Sequence, residues 1–125
     1  MANPNIAAVS AIYGNTSTTS LTTTSPFELV SNAASSGKVY KINSIVVANV
    51  DGTSAADITI NIYSSAALGG SATAIASTIS VPADSTLIVT DKTTSFYLLE
   101  DKSIGAIASA ANDLVVTASW EEINA

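Results

Sequence analysis

The sequence predicts an all-β fold, an antiparallel β-sandwich or jelly-roll-like barrel of about eight to ten short strands. Three observations point there. Apolar residues recur at two-residue spacing in run after run, and no stretch shows the three-to-four-residue apolar spacing with caps that a helix needs. Turn signals separate the runs: Gly14-Asn15, Ser25-Pro26, Asp51-Gly52, Gly69-Gly70, Pro82-Ala83-Asp84 and Asn112-Asp113. Ala, Ser and Thr fill roughly two-fifths of the chain, so small side chains and β-branched residues dominate it.

Taken in order, residues 1–5 read as an N-terminal arm and residues 6–125 as a single β-sandwich domain. Residues 6–13 (IAAVSAIY) form a first strand that Gly14-Asn15 turns, and the hydroxyl-rich residues 16–24 (TSTTSLTTT) a second, exposed one. Phe27 to Val30 is a short strand, followed by a loop over residues 31–37. Residues 40–63 then read as a long central β-hairpin. In its first arm Tyr40, Ile42, Ser44, Val46, Ala48 and Val50 share one face, and Lys41, Asn43, Ile45, Val47 and Asn49 the other. In its second arm Ile58, Ile60 and Ile62 alternate with Asp57, Thr59, Asn61 and Tyr63. Asp51-Gly52 supplies the turn.

Beyond the hairpin, Gly69-Gly70 turns the chain into a strand over residues 72–81, and Pro82-Ala83-Asp84 turns it into another over residues 85–90. Residues 91–95 are a loop and Phe96 to Leu99 a short strand. Residues 103–111 and 114–121 read as a last hairpin turned at Asn112-Asp113. On its final strand Leu114, Val116, Ala118 and Trp120 face in, and Trp120 anchors the end of the core.

Charge excludes several classes of function. The net charge is −6, the only cations are Lys38, Lys41, Lys92 and Lys102, and there is no Arg. A nucleic-acid or anionic-membrane surface needs clustered Lys and Arg, so neither partner is expected. No stretch approaches the ~20 apolar residues of a membrane helix. The start of the chain lacks a basic region followed by an apolar core, so no signal peptide is expected.

Chemistry is equally restricted. With neither His nor Cys, Ser-His and Cys-His nucleophile pairs and imidazole or thiolate metal sites are impossible. A Ser-Lys pair is the remaining nucleophilic arrangement, but serines without an identifiable base are ordinarily turn or surface residues. Glu100-Asp101 and Glu121-Glu122 are adjacent in sequence, and strand neighbours point to opposite faces, so the paired carboxylates of a glycosidase are not expected. Asp51 and Asp57 bracket a loop with oxygens for calcium. The loop supplies few of the six to eight ligands and does not match the EF-hand spacing, so capping of the turn by Asp51 is the plainer reading. The aromatics are scattered, which favours core packing over a glycan-binding platform. We therefore expect no enzymatic activity and no cofactor. What remains is a flat, weakly charged sheet suited to burial against other proteins.

Residues 39–52 (VYKINSIVVANVDG) followed by ADITINIY, and later ISVPADSTLIV with FYLLEDKSIGAIASAANDLVVTASWEEI, resemble small structural proteins of tailed bacteriophages, cyanophages above all. The shared features are a strand ending in Asn, a Val-Pro-Ala turn, a Tyr-Leu-x-Glu-x-x-x-Ile segment and a closing strand ending in acidic residues, over residues 38–123. The resemblance implies a β-fold virion component without enzymatic activity, most specifically a head decoration (cement) protein on the capsid surface. It would be made in the host cytoplasm and bound to the major capsid protein as a dimer or trimer. Ala2, Asn3, Pro4, Asn5 and Ile6, with one open sheet, would supply the contacts. A tail, neck or fibre component and a glycan-binding sandwich are the alternatives.

Overall fold

β-branched alternation becomes nine strands in the computed structural model, which describes residues 4–125. They are β1 (Ala11–Ser20), β2 (Phe27–Asn32), β3 (Lys38–Asn49), β4 (Ala56–Ser65), β5 (Gly69–Val81), β6 (Thr86–Thr90), β7 (Phe96–Leu98), β8 (Lys102–Ala108) and β9 (Leu114–Asn124). A short 3-10 turn, Lys92–Thr94, separates β6 from β7. The first sheet runs β1-β9-β3-β6, with β7 also pairing β3, and the second runs β2-β8-β4-β5. Every pairing is antiparallel. The chain changes sheet at each connection except β4–β5 and β6–β7, which is the order of a jelly roll.

The predicted fold class therefore stands, but its hairpins do not. β3 lies in the first sheet between β9 and β6, whereas β4 lies in the second between β8 and β5. The Asp51-Gly52 segment is an arch from one sheet to the other. Its ends are fastened elsewhere, Val50 N–H to the Asp113 carbonyl and Asp84 N–H to the Asp51 carbonyl. The expected last hairpin divides in the same way, with β8 in the second sheet and β9 in the first. β4–β5 is a true hairpin, but its turn is Ala66 to Leu68 rather than Gly69-Gly70. Ala67 and Leu68 take up the left-handed conformation there, with φ of 56° and 58°.

Two further expectations shift for reasons of register. Gly14-Asn15 does not turn the chain. β9 offers an eleven-residue template, and β1 pairs with it without interruption from Ala11↔Asn124 to Ser20↔Val115, carrying Gly14 through opposite Glu121. In β3 the two-residue alternation breaks. A bulge between Ile42 and Ser44 puts one extra residue, Asn43, into the strand. Ile42 thereby shares the inner face with Ile45 and Val47, and all three have no exposed surface.

The core lies between the sheets. Ile42, Ile45 and Val47 of β3 meet Ile58 and Ile60 of β4 and Ile104 of β8, with Leu114, Val116 and Ala118 of β9 alongside. Each Ile, Leu or Val side chain removed from water contributes ~1.5–3 kcal/mol. Trp120 packs against this cluster half-buried, as expected of the end of β9. Two buried amides hold the ends of the sandwich. Asn49 donates to the carbonyls of Ser54 and Val81, and its Oδ1 accepts from Asp51 N–H. Asn32 donates to the carbonyls of Lys38 and Leu98. These side chains satisfy backbone groups that the cross-sheet arches would leave unpaired.

Candidate assembly surface

The groups with chemical potential are dispersed by the fold. Glu100 is buried in the turn after β7, while its neighbour Asp101 turns outward and accepts Ala66 N–H. Glu121 accepts from the Asn43 amide at 3.3 Å, and Glu122 forms an ion pair with Lys38 at 3.3 Å. Tyr40 lies beside Glu122, and burial followed by that carboxylate's charge pushes its hydroxyl above the ordinary tyrosine value. Lys102 donates to the Ser64 carbonyl, a backbone oxygen rather than a serine hydroxyl.

Of the two calcium candidates, Asp51 is engaged locally. Asp51 Oδ1 accepts both the N–H and the hydroxyl of Thr53 at 2.9 Å, which holds its carboxyl below the usual range. This is the turn-capping role. Asp57, the second residue of β4, has its N–H on Ser109 Oγ. Among the described residues no three His, Cys, Asp or Glu side chains converge. A groove of about 220 Å³ between β5 and the β6–β7 edge is lined by Ile75, Val89, Thr90, Thr94 and Phe96, none of them titratable.

The aromatics divide between two roles. Tyr40, Phe96 and Trp120 pack on the core, and Tyr63 is buried on the outside of the second sheet over Gly105. Tyr13, Phe27 and Tyr97 are exposed, against the expectation of general core packing, because each sits on a strand at a sheet edge. They belong to β1, β2 and β7 and so do not share one platform.

Edges are where the molecule can meet another protein, and the four are unlike one another. β2 has six residues, carries Glu28 and is interrupted by a bulge. β5 has thirteen, but its pairing with β4 shifts register three times and Thr78 is forced to a φ of 51°. β6 and β7 have five and three residues, split by the Lys92–Thr94 turn. β1 has ten residues, no charge, no proline and no register shift. Short length, charge and bulging are the devices that keep an edge from pairing with a stranger. Three edges have them and β1 has none. Of the predicted contact arm, Ala2 and Asn3 lie outside the described residues. Pro4 is half-buried, Asn5 closes a tight turn by accepting Ala7 N–H on its side chain, and Ile6 is exposed. The residues that distinguish β1 were visible in the sequence as a charge-free, Thr-rich run. Its position at an edge was not.

No family model matches the chain, and no curated protein does. Among solved structures the fold resembles one described as "Bacillus endospore appendages form a novel family of disulfide-linked pili", with a TM-score of 0.53 and 18% identity over 90% of this chain and 88% of that one. At that identity the likeness is one of fold.

Proposed function

We propose that this chain is a non-enzymatic structural subunit that works by binding other protein subunits, and more specifically that it is a head decoration protein of a tailed bacteriophage. The observation that carries the reading is the contrast among the edges: a rigid sandwich guards three and leaves β1 open. An enzyme would need converging groups, and here Asp51 caps a turn, Glu121 accepts from Asn43 and Glu122 pairs with Lys38 instead. The resemblance of residues 38–123 to small phage structural proteins supplies the virion context. On this reading the chain sits on the outer capsid surface against the major capsid protein, with Pro4 to Ile6 and the residues before them as a second contact. It needs no cofactor, nucleic acid or membrane.

A second reading, a filamentous tail, neck or fibre component, is favoured by the likeness in fold to an appendage described as pili. That appendage is described as disulfide-linked. This chain has no cysteine, so any filament it builds is held without disulfides. Quantitative mass spectrometry of purified virions separates the readings. A copy number equal to that of the major shell protein, or a simple fraction of it, supports decoration of the head. A handful of copies per particle moves the chain to the tail. Absence from particles ends both and brings a glycan-binding role forward for testing on a glycan array.

A further inference from the structure

We infer that β1 is a self-association edge and that its occupant is β1 of a second copy, paired antiparallel about a two-fold axis at Thr16. This deepens the reading of the chain as an assembling subunit and takes its biological meaning from it. The backbone supplies the first argument. Leu21 N–H bonds to the Leu114 carbonyl, in line with the β1–β9 register. Antiparallel ladders alternate, so the odd-numbered residues of β1 bond to β9, and Ile12, Gly14, Thr16, Thr18 and Ser20 direct their N–H and C=O groups away from the sheet. These form a straight row of unpaired donors and acceptors on an unbulged strand.

The second argument is self-complementarity. A two-fold axis perpendicular to the sheet keeps each face continuous and pairs residues of equal parity. Centred on Thr16, it sets Thr16 against Thr16 of the second copy, Gly14 against Thr18, and Ile12 against Ser20. All five outward-bonding residues then find partners, giving roughly ten new backbone hydrogen bonds and one sheet running β6-β3-β9-β1 into its symmetry mate. Tyr13 falls opposite Thr19, and Asn15 opposite Ser17. Uncharged side chains meet uncharged ones along the whole row, so like-charge repulsion is absent. The other edges offer no such match. β2 is only six residues long, carries Glu28 and is bulged, and the bulges of β5 break its row.

The test is sedimentation equilibrium of the purified chain from about 5 µM to 1 mM, a range that brackets the affinity of a small edge-to-edge interface. The wild-type chain is expected to stop at a dimer, twice 12.6 kDa. Thr16→Pro removes an outward N–H without touching the β9 ladder, and Thr16→Lys sets two ammonium groups face to face on the axis. Each should weaken association on the order of a hundredfold. Ile79→Lys on β5 should leave it unchanged. Amide exchange gives an independent readout, since Gly14, Thr16 and Thr18 should be protected at high concentration and exchange freely at low. Should Thr16→Pro fail to fold, Thr16→Lys carries the test alone. A wild-type chain monomeric throughout, open-ended polymer instead of dimer, or variants that associate as wild type would each overturn the inference. A monomer that still binds purified particles would end it while leaving the structural reading intact; a dimer absent from particles would do the reverse.

Discussion

Gly105 shows how little room the outer face of the second sheet has. A Cβ there would stand 2.8 Å from Tyr63 Cε1, 2.9 Å from Leu68 Cδ2 and 3.3 Å from the Phe27 carbonyl oxygen. Leu68 is held over the sheet by its N–H bond to Ser103 Oγ, and that hydroxyl donates in turn to the Ser65 carbonyl. With the Leu68 backbone fixed, room can come only from rotation of the Leu68 and Tyr63 side chains. Gly105→Ala is expected to cost ~1–3 kcal/mol in urea unfolding, the range for an overpacked site. Adding Leu68→Ala should recover part of that loss, the non-additivity expected of residues in contact. The carboxylates act on pH dependence instead. Asp51 is held low by the N–H and then the hydroxyl of Thr53, and Asp91 by the hydroxyl and then the N–H of Thr93. A folded-state value below the unfolded one stabilises above the ordinary carboxylate range, and that contribution disappears as pH falls through the folded value. Asp51→Asn with Asp91→Asn keeps the acceptors and removes the titration. The decline of Tm below about pH 4 should then be shallower than in the wild type, as thermal melts across that range would show.

At the level of elements, strand positions were legible and strand partners were not. The alternation in β9 placed Leu114, Val116 and Ala118 inward correctly, because one buried face imposes a two-residue period on any strand whatever it pairs with. Asp51-Gly52 was misleading because a tight hairpin and a cross-sheet arch use the same turn residues. The difference is made by Asn49, Val81 and Asp113, which close the arch from distant parts of the chain. The β3 bulge was hidden for a related reason. Val46 and Val47 are equally apolar, so the sequence does not mark which one faces the core. Asn43 is the residue that decides it. Deleting Asn43 takes out the one extra residue, so Ile42, Ile45 and Val47 keep the inner face in unbroken alternation and only the bulge and its bond to Glu121 are lost. We expect a loss of only ~1–2 kcal/mol with the cooperative unfolding transition retained by circular dichroism, because no core side chain is expelled. Replacing Asn43 by Ser, which preserves the bulge and loses only the bond to Glu121, should cost less than ~1 kcal/mol.

For the molecule as a whole, the jelly-roll order makes most pairings distant in sequence. β1 is completed only when β9 arrives, a strand that begins at Leu114. Loop closure of that length precedes any gain from the pairing, so refolding should fall in the millisecond-to-second range of β-sandwiches, as stopped-flow fluorescence of Trp120 can measure. The same topology explains why the fold class could be read from composition and turn spacing, while the candidate assembly edge could not. Which strand is outermost depends on the final closure of the sheet, and no local run of residues encodes it.

The uninterrupted β1–β9 ladder also determines how the subunit responds to tension. Ala11 is opposite Asn124, so a pull that separates residue 10 from residue 125 opens the ladder like a zipper, one hydrogen bond at a time. Such geometry yields at low force, because each bond resists alone. A pull along the direction of β1, applied through a strand docked on its outer edge, would strain the whole row together and meet far greater resistance. Optical-tweezer handles at residues 10 and 125 should therefore unfold the chain at markedly lower force than handles at residues 20 and 125, which load the same two strands in shear.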